Sequence, residues 1–261
     1  MNQPKELKYI VAIATELARS SYGLSLHEKQ LIWLILSKIK PFYTEKRRTE
    51  DGVIIYEVEG ETLYPDVWYE VSVETYAKVL DLSLDNAYDV LKTAGDSLFN
   101  RYVAIKGTHS KKSLLKIHWF SASLYIPEER MFRVKFSDEI IPYLTNLHEH
   151  FTQLKLYEAF KISNIYAWKL FDVLCSYRNS KIRELTFTLG ELEFLFAVSS
   201  SYKLYKNMKN KILLPAFALL KEKQLVQVAL KEEIKRGRKV IGVKLSFTFS
   251  TKGTTEETAI A

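Results

Sequence analysis

The chain of 261 residues has one cysteine, nine glycines and no apolar run near the roughly 18 residues that a membrane span needs. A lone Cys175 excludes an internal disulfide and any Cys-rich zinc module. Its neighbours Trp168, Leu170, Phe171 and Leu174 recur at helical spacing, so it reads as a core thiol. The few glycines include no G-x-x-x-x-G-K-[ST] loop, which excludes a P-loop ATPase. Met1 to Tyr9 carries lysines without a following apolar stretch and cleavage site, so no secretory signal is expected and the expected location is cytoplasmic. With 47% hydrophobic residues the chain can bury a real core and is long enough for two domains.

Acidic residues are also scarce, but only locally. Residues 201–250 hold twelve Lys/Arg against three acids, which leaves the remainder of a chain of net charge +7 slightly acidic. Within this stretch Tyr202, Tyr205, Met208 and Ile212 form an apolar stripe at helical spacing, with Lys203, Lys206, Asn207 and Asn210 on another face. Lys235, Arg236, Arg238 and Lys239 surround Gly237 between two strand-like segments. A basic helix followed by a basic-tipped hairpin is the footprint of a winged-helix DNA reader.

The order of elements places that footprint. Ser25-Leu26-His27-Glu28 has capping-box spacing, and Leu31, Leu34, Ile35 and Lys38 carry a helix to about Lys40, where Pro41 stops it. Residues 43–66, with turn signals at Asp51-Gly52 and Pro65 and a short strand at Val53–Val58, read as a hairpin or a mobile insertion. A strand at Trp68–Val73, a short helix at Glu74–Leu80 and a Ser83-capped helix from Leu84 to Asn100 follow. Arg101–Lys106 and Leu114–Ile126 then read as strands around a basic turn, Gly107–Ser113. In the second half, a helix at Asp138–Leu147 precedes a Ser163-capped helix to Tyr177 and a short helix at Leu189–Ala197. Ser199–Ser201 forms a turn and cap, 202–213 the basic helix, and Pro215 opens or kinks a further helix to Lys223. Leu225–Leu230 and Val240–Phe249 are the hairpin strands. Helix, turn, helix, strand, turn, strand thus occurs twice, an α+β order, although few residues match between the halves. The expected division is 1–135 and 136–250, with a disordered tail at 251–261.

These segments carry a resemblance. Leu26-His27-Glu28-Lys29-Gln30-Leu31-Ile32, Ala87-Tyr88-Asp89-Val90-Leu91-Lys92 and Leu98-Phe99-Asn100-Arg101-Tyr102-Val103 resemble the first domain of the iteron-binding plasmid replication initiators. Tyr166-Ala167-Trp168-Lys169-Leu170-Phe171, Tyr202-Lys203-Leu204-Tyr205-Lys206-Asn207-Met208-Lys209 with Leu214-Pro215-Ala216, and Lys235-Arg236-Gly237-Arg238-Lys239-Val240 resemble the second. The blocks run in family order over most of residues 10–250; Thr44–Asp66 departs from the pattern. The resemblance implies two winged-helix domains in tandem, binding of tandem repeats in double-stranded origin DNA, and help with strand opening. It also implies host partners, the host replication initiator and replicative helicase, and a homodimer that represses its own gene in equilibrium with an initiating monomer.

The chemistry of the side chains assigns roles beside it. Lysines and asparagines on one helical face can reach guanine O6/N7 and adenine N6/N7 in the major groove, which fits Lys203, Lys206, Asn207 and Asn210. Lys209, Lys211, Lys235, Arg236, Arg238 and Lys239 suit phosphates; the bland reading is a solvated lysine-rich face. In the first half the corresponding helix offers Asp85, Asn86, Asp89 and Lys92, too acidic for a strong reader. Asn86 and Lys92 with Arg101, Lys106, Lys111 and Lys112 supply a few phosphate contacts or plain surface. If each domain enters the groove on one face of the duplex, their centres lie about 34 Å apart, giving a repeat near two turns long. The strand Lys116–Tyr125, through Ile117, Trp119 and Leu124, either offers a dimer surface or faces its own core.

Enzymes fare poorly. A rolling-circle nickase needs two histidines flanking an apolar residue on a strand, plus a tyrosine. His148-Glu149-His150 has a charged centre at the end of an expected helix, with Tyr157 the nearest tyrosine downstream. Asp81, Asp85 and Asp89 share helical spacing but read as capping and surface groups. No catalytic residue, metal or cofactor is expected. A winged-helix transcriptional repressor without an initiation role is the alternative, since it would use the same helix and hairpin.

Overall fold

The computed structural model describes residues 10–38, 44–50, 53–59, 67–110, 112–145, 147, 151–198, 202 and 204–250, with the backbone alone for 44–50 and 53–59. The chain divides into two units, Met1–Phe160 and Lys161–Ala261.

In the first unit β1 (Ile10–Ala14), α1 (Thr15–Ala18) and β2 (Ser21–Tyr22) lead into α2 (Leu26–Leu36). The capping box is present: the Ser25 hydroxyl accepts the Glu28 N–H, and the Glu28 carboxylate accepts the Ser25 N–H at 2.6 Å. The helix stops before Lys40, as the Ser37 hydroxyl takes the Leu34 carbonyl at 2.7 Å. Of the two readings of 43–66, the pairing of β3 (Thr44–Glu50) antiparallel to β4 (Val53–Glu59) favours the hairpin. Next come β5 (Tyr69–Ser72), α3 (Val73–Leu80) and α4 (Leu84–Leu98), whose N-caps Ser72 and Ser83 accept the Thr75 and Asn86 N–H groups.

The long strand expected at Leu114–Ile126 is two strands. After β6 (Tyr102–Lys106), β7 (Leu114–His118) pairs with β6 in a sheet of order β2-β6-β7. Trp119 breaks the run, and β8 (Phe120–Ile126) joins β9 (Met131–Phe136) in a separate sheet of order β5-β9-β8. The break follows from burial: the Trp119 indole is fully enclosed, edge-on to Tyr22 and Trp33 at centroid distances of 6.1 and 6.4 Å. Removing roughly 200 Å² of indole from water favours folding by about 5 kcal/mol before ordering costs. Ile117 is buried too, so of the three residues considered for a dimer surface only Leu124 is exposed.

Among the described residues of the helix expected at Asp138–Leu147 no α-helix forms. One 3₁₀ turn, Ile141–Tyr143, forms there with Pro142 in its first positions, where the missing N–H costs nothing. β10 (Phe151–Lys155) then pairs antiparallel with β1, and α5 (Leu156–Ala159) closes the unit. That pairing ties 151–160 to the first unit, so the division falls at 160 rather than at 135. Glu28 at the start of α2 joins distant segments of this unit. It is fully buried and receives the Ser25 N–H, the Ser97 hydroxyl and, at 2.9 Å, the Arg101 Nε. These donors hold the start of α2 to the end of α4; removing one leaves part of a buried acceptor unsatisfied, at about 1–3 kcal/mol.

The second unit begins with α6 (Ile165–Cys175), capped by Asn164 rather than Ser163: the Asn164 Oδ1 accepts from the Tyr166 and Ala167 N–H groups at 2.9 and 3.0 Å. Cys175 is a buried free thiol as expected. β11 (Glu184–Thr188) feeds α7 (Leu189–Phe196) through a Thr188/Glu191 capping box. α3 and α7 end alike. Asp81 (φ 55°) and Ala197 (φ 48°) turn left-handed, and the next residue's N–H returns to Ala77 O at 3.0 Å and Glu193 O at 3.3 Å.

α8 (Tyr205–Met208), a π turn at Lys209–Leu213 and α9 (Leu214–Glu222) follow without interruption. Pro215 stands in the first positions of α9, as expected of a proline that opens a helix, although here the helical run reaches it without a break. It has no N–H for the Lys211 carbonyl, and the wider π turn makes room for its ring. β12 (Val226–Arg236) and β13 (Lys239–Phe249) complete a sheet of order β11-β13-β12. α6 and β12 pack on α9, and Trp168, Phe171, Leu220, Val243 and Leu245 are buried. This order matches β5-β9-β8: helix, strand, two helices and a hairpin occur in both units, each a winged helix. β6 and β7 are an insertion in the first. The first unit's wing is therefore the β8–β9 turn at 127–130, not the Gly107–Ser113 turn.

Candidate nucleic-acid interface

The second unit's hairpin is longer than its alternation suggests, since Arg236 still pairs with Lys239. Gly237 and Arg238 alone make the turn. Gly237 has φ 61° and Arg238 a negative φ, the pattern of a primed turn with glycine first. Lys235, Arg236, Arg238 and Lys239 are all exposed at this tip. Lys235 lies 4.0 Å from Glu233, whereas the other three make no ion pair among the described residues.

Two register shifts shape the hairpin below the tip, between Leu230 and Glu232 and between Ile234 and Lys235. Lys231 is the extra residue of the first, and it moves the inward position from Glu232, which is exposed, to Glu233, which is half-buried. Glu233 there meets the start of the basic helix. Its Oε1 accepts the Tyr205 hydroxyl at 2.6 Å and the Lys209 Nζ at 2.7 Å. Those two bonds, Lys209 first, hold the Glu233 carboxyl below the usual range, while burial and then Glu233 push the Tyr205 phenol up.

On the helix, Met208, Ile212 and Leu213 face the core. Lys206, Asn210 and Lys211 are exposed and Asn207 half-buried; Lys203 and Ser199–Ser201 lie outside the described residues. Lys206 and Asn210 thus share the outward face expected of them, while Lys209 is turned to the hairpin. Two further lysines are also engaged. Glu184 on β11 takes Lys231 and Lys244, the latter at 2.7 Å. They hold its carboxyl down at about 2, Lys231 first, and Glu184 raises Lys244 in turn. Among the described residues near the tip and the helix, Lys206, Lys211, Arg236, Arg238 and Lys239 make no ion pair. Glu184 and Glu233 escaped the sequence reading because each lies more than twenty residues from a partner.

The first unit differs at every equivalent place. The exposed face of α4 carries Asp85, Asn86, Asp89, Lys92 and Asp96. Arg101 is drawn to Glu28, Lys106 and Lys112 are exposed on the inserted β6–β7 hairpin, and Lys111 lies outside the described residues. Its wing carries Glu128, Glu129 and Arg130, with Arg130 3.9 Å from Glu74 and Glu129 bound to Arg133 at 3.1 Å. Asp81 terminates α3. Among the described residues no group of three or more His, Cys, Asp or Glu could hold a metal; His148, Glu149 and His150 lie outside them. Among those residues no helix is long and apolar enough to cross a membrane.

Two family models match, "Initiator Replication protein, WH1" over residues 10–175 and "Initiator Rep protein, WH2" over 188–247. The chain belongs to the initiator replication protein family. The resemblance read from the sequence blocks is borne out, as are the two winged-helix domains. This initiator-family chain is 25% identical over 210 residues to an Escherichia coli replication initiation protein, covering 79% of itself but 60% of that relative's length. It is 21% identical over 216 residues to an uncharacterized 27.6 kDa Escherichia coli protein, covering 83% and 86% of the two chains. Its fold is like that of the Pi initiator protein crystallised in complex with iteron DNA, with a TM-score of 0.70 at 19% identity, over 96% of this chain and 100% of that one.

Proposed function

We propose that this protein initiates plasmid replication by binding tandem repeats in double-stranded origin DNA. The second unit is the main reader: Lys206, Asn210 and the partly buried Asn207 address base edges, while Lys211, Arg236, Arg238 and Lys239 hold phosphates. The observation that carries this is the coincidence, on one winged helix, of an outward Lys/Asn helix face and a hairpin tip with three cations that make no ion pair among the described residues. Family membership supports it. The first unit makes weaker contacts through Asn86, Lys92 and Lys112 and supplies the self-association surface. The role is binding rather than catalysis: the initiator opens the origin, draws in the host initiator and helicase, and represses its own gene as a dimer, all in the cytoplasm.

Selection of bound duplexes from random DNA at fixed salt tests this reading. A recurring motif about two helical turns long is expected; recovery of unselected sequence would sink it. Arg236→Ala should weaken specific and random duplex alike and lower the log-log salt slope by about 0.9. A plasmid bearing the selected repeats should replicate only when the gene is supplied. Repression without replication would favour the transcriptional repressor.

A further inference from the structure

The clamp between Glu233, Tyr205 and Lys209 sits where the helix meets the wing. Resting on the DNA-binding reading above, we propose that Glu233 is a positioning residue for sequence discrimination. It fixes the first turn of the basic helix to the wing and withholds Lys209 from the phosphate backbone. The geometry carries both parts. One carboxylate oxygen takes two short bonds from residues one helical turn apart, Tyr205 and Lys209. A register shift at Lys231 is what aims Glu233 inward, so its placement depends on the strand's own irregularity.

The consequence is a trade between affinity and selectivity. A lysine tied to a carboxylate releases no counterion on binding, so it adds nothing to non-specific attraction. Holding the helix start still keeps Lys206 and Asn210 in one arrangement, which favours the sequence that matches it. Losing the clamp frees Lys209 and a helix end together; Lys235, exposed and 4.0 Å from Glu233, is held too loosely for its release to add to the change. Random DNA then gains, while the matched repeat gains little.

The test uses the full chain, with affinities for the selected repeat and for a random duplex of equal length measured across a potassium chloride series. Glu233→Gln should steepen the random-duplex slope by about 0.9 and tighten that complex up to about fivefold. The ratio of specific to random affinity should fall by a similar factor. Glu233→Gln/Lys209→Met should return the slope to the parental value while the ratio stays low, because the helix end remains unclamped. Tyr205→Phe, which keeps the ring and removes one bond, should lower the ratio without steepening the slope. An unchanged slope and ratio in Glu233→Gln would overturn the proposal, as would a steeper slope that persists in the double variant. Arg236→Ala, run in parallel, separates the two readings: if it and the parent show no salt-dependent binding, DNA binding itself fails.

Discussion

α4 and the helical run from α8 through α9 hold the same place in the same topology and present opposite charge. Asp85, Asp89 and Asp96 look outward from the first, Lys206 and Lys211 from the second, and the wings follow suit with Glu128 and Glu129 against Arg236, Arg238 and Lys239. A shared order of strands and helices therefore fixes where a helix and a wing will stand. It leaves the surface potential, and with it the partner, to the residues at those places.

The comparison can be broken by charge. Arg236→Ala/Arg238→Ala/Lys239→Ala should lower the salt slope of duplex binding by about 2.7, the largest change expected. Asp85→Lys/Asp89→Lys should change it by less than about 1.8 and in the opposite direction. Equal and opposite changes in slope, read by fluorescence anisotropy over a salt series, would mean that the first unit's helix lies as close to DNA as the second unit's wing.

Two helical glycines sharpen it at the level of packing. A Cβ on Gly95 of α4 would stand 2.6 Å from the Phe132 Cζ on β9, whereas one on Gly190 of α7 would meet nothing within 4 Å. Gly95→Ala should destabilise the protein by about 1–3 kcal/mol. Gly190→Ala should stabilise it by roughly 0.5–1 kcal/mol. Thermal unfolding midpoints moving the same way would contradict this account.

The smallest effect concerns acid. Glu184 titrates near 2 in the folded protein against an ordinary 4.5, so its contribution is fully present above 4.5 and disappears as pH falls toward 2. Glu184→Gln should be slightly less stable than the parent at pH 7, and the gap should close between those two values. A gap that instead widened on acidification would assign the lysines another partner.

Elements with local signals were legible in the sequence. The α2 capping box, the Ser83 cap and the basic-tipped hairpin depend on residues three or four apart, or on a two-residue turn. β1 and β10 depend on each other across Ile10↔Lys155, and nothing within either five-residue segment reports that partner. Alternation ran unbroken through Leu114–Ile126 because Trp119 suits a strand as well as a core, and only enclosure by Tyr22 and Trp33 separates the two sheets. In the candidate site, exposure of Lys206, Asn210 and the tip followed from period and turn chemistry. That Lys209 faces a carboxylate, and that Arg101 faces Glu28, required the fold.

Glu28 gives the first unit one more property. Segments around 25–28, 97 and 101 must arrive together before its carboxylate is satisfied, and it is shut away from water once they do. A helix end ordinarily frays by itself. At the end of α4, fraying would strand a charge in the interior, so this terminus is tied to the cooperative opening of the whole unit. Amides near Leu98 should then exchange with deuterium as slowly as those at the middle of the helix.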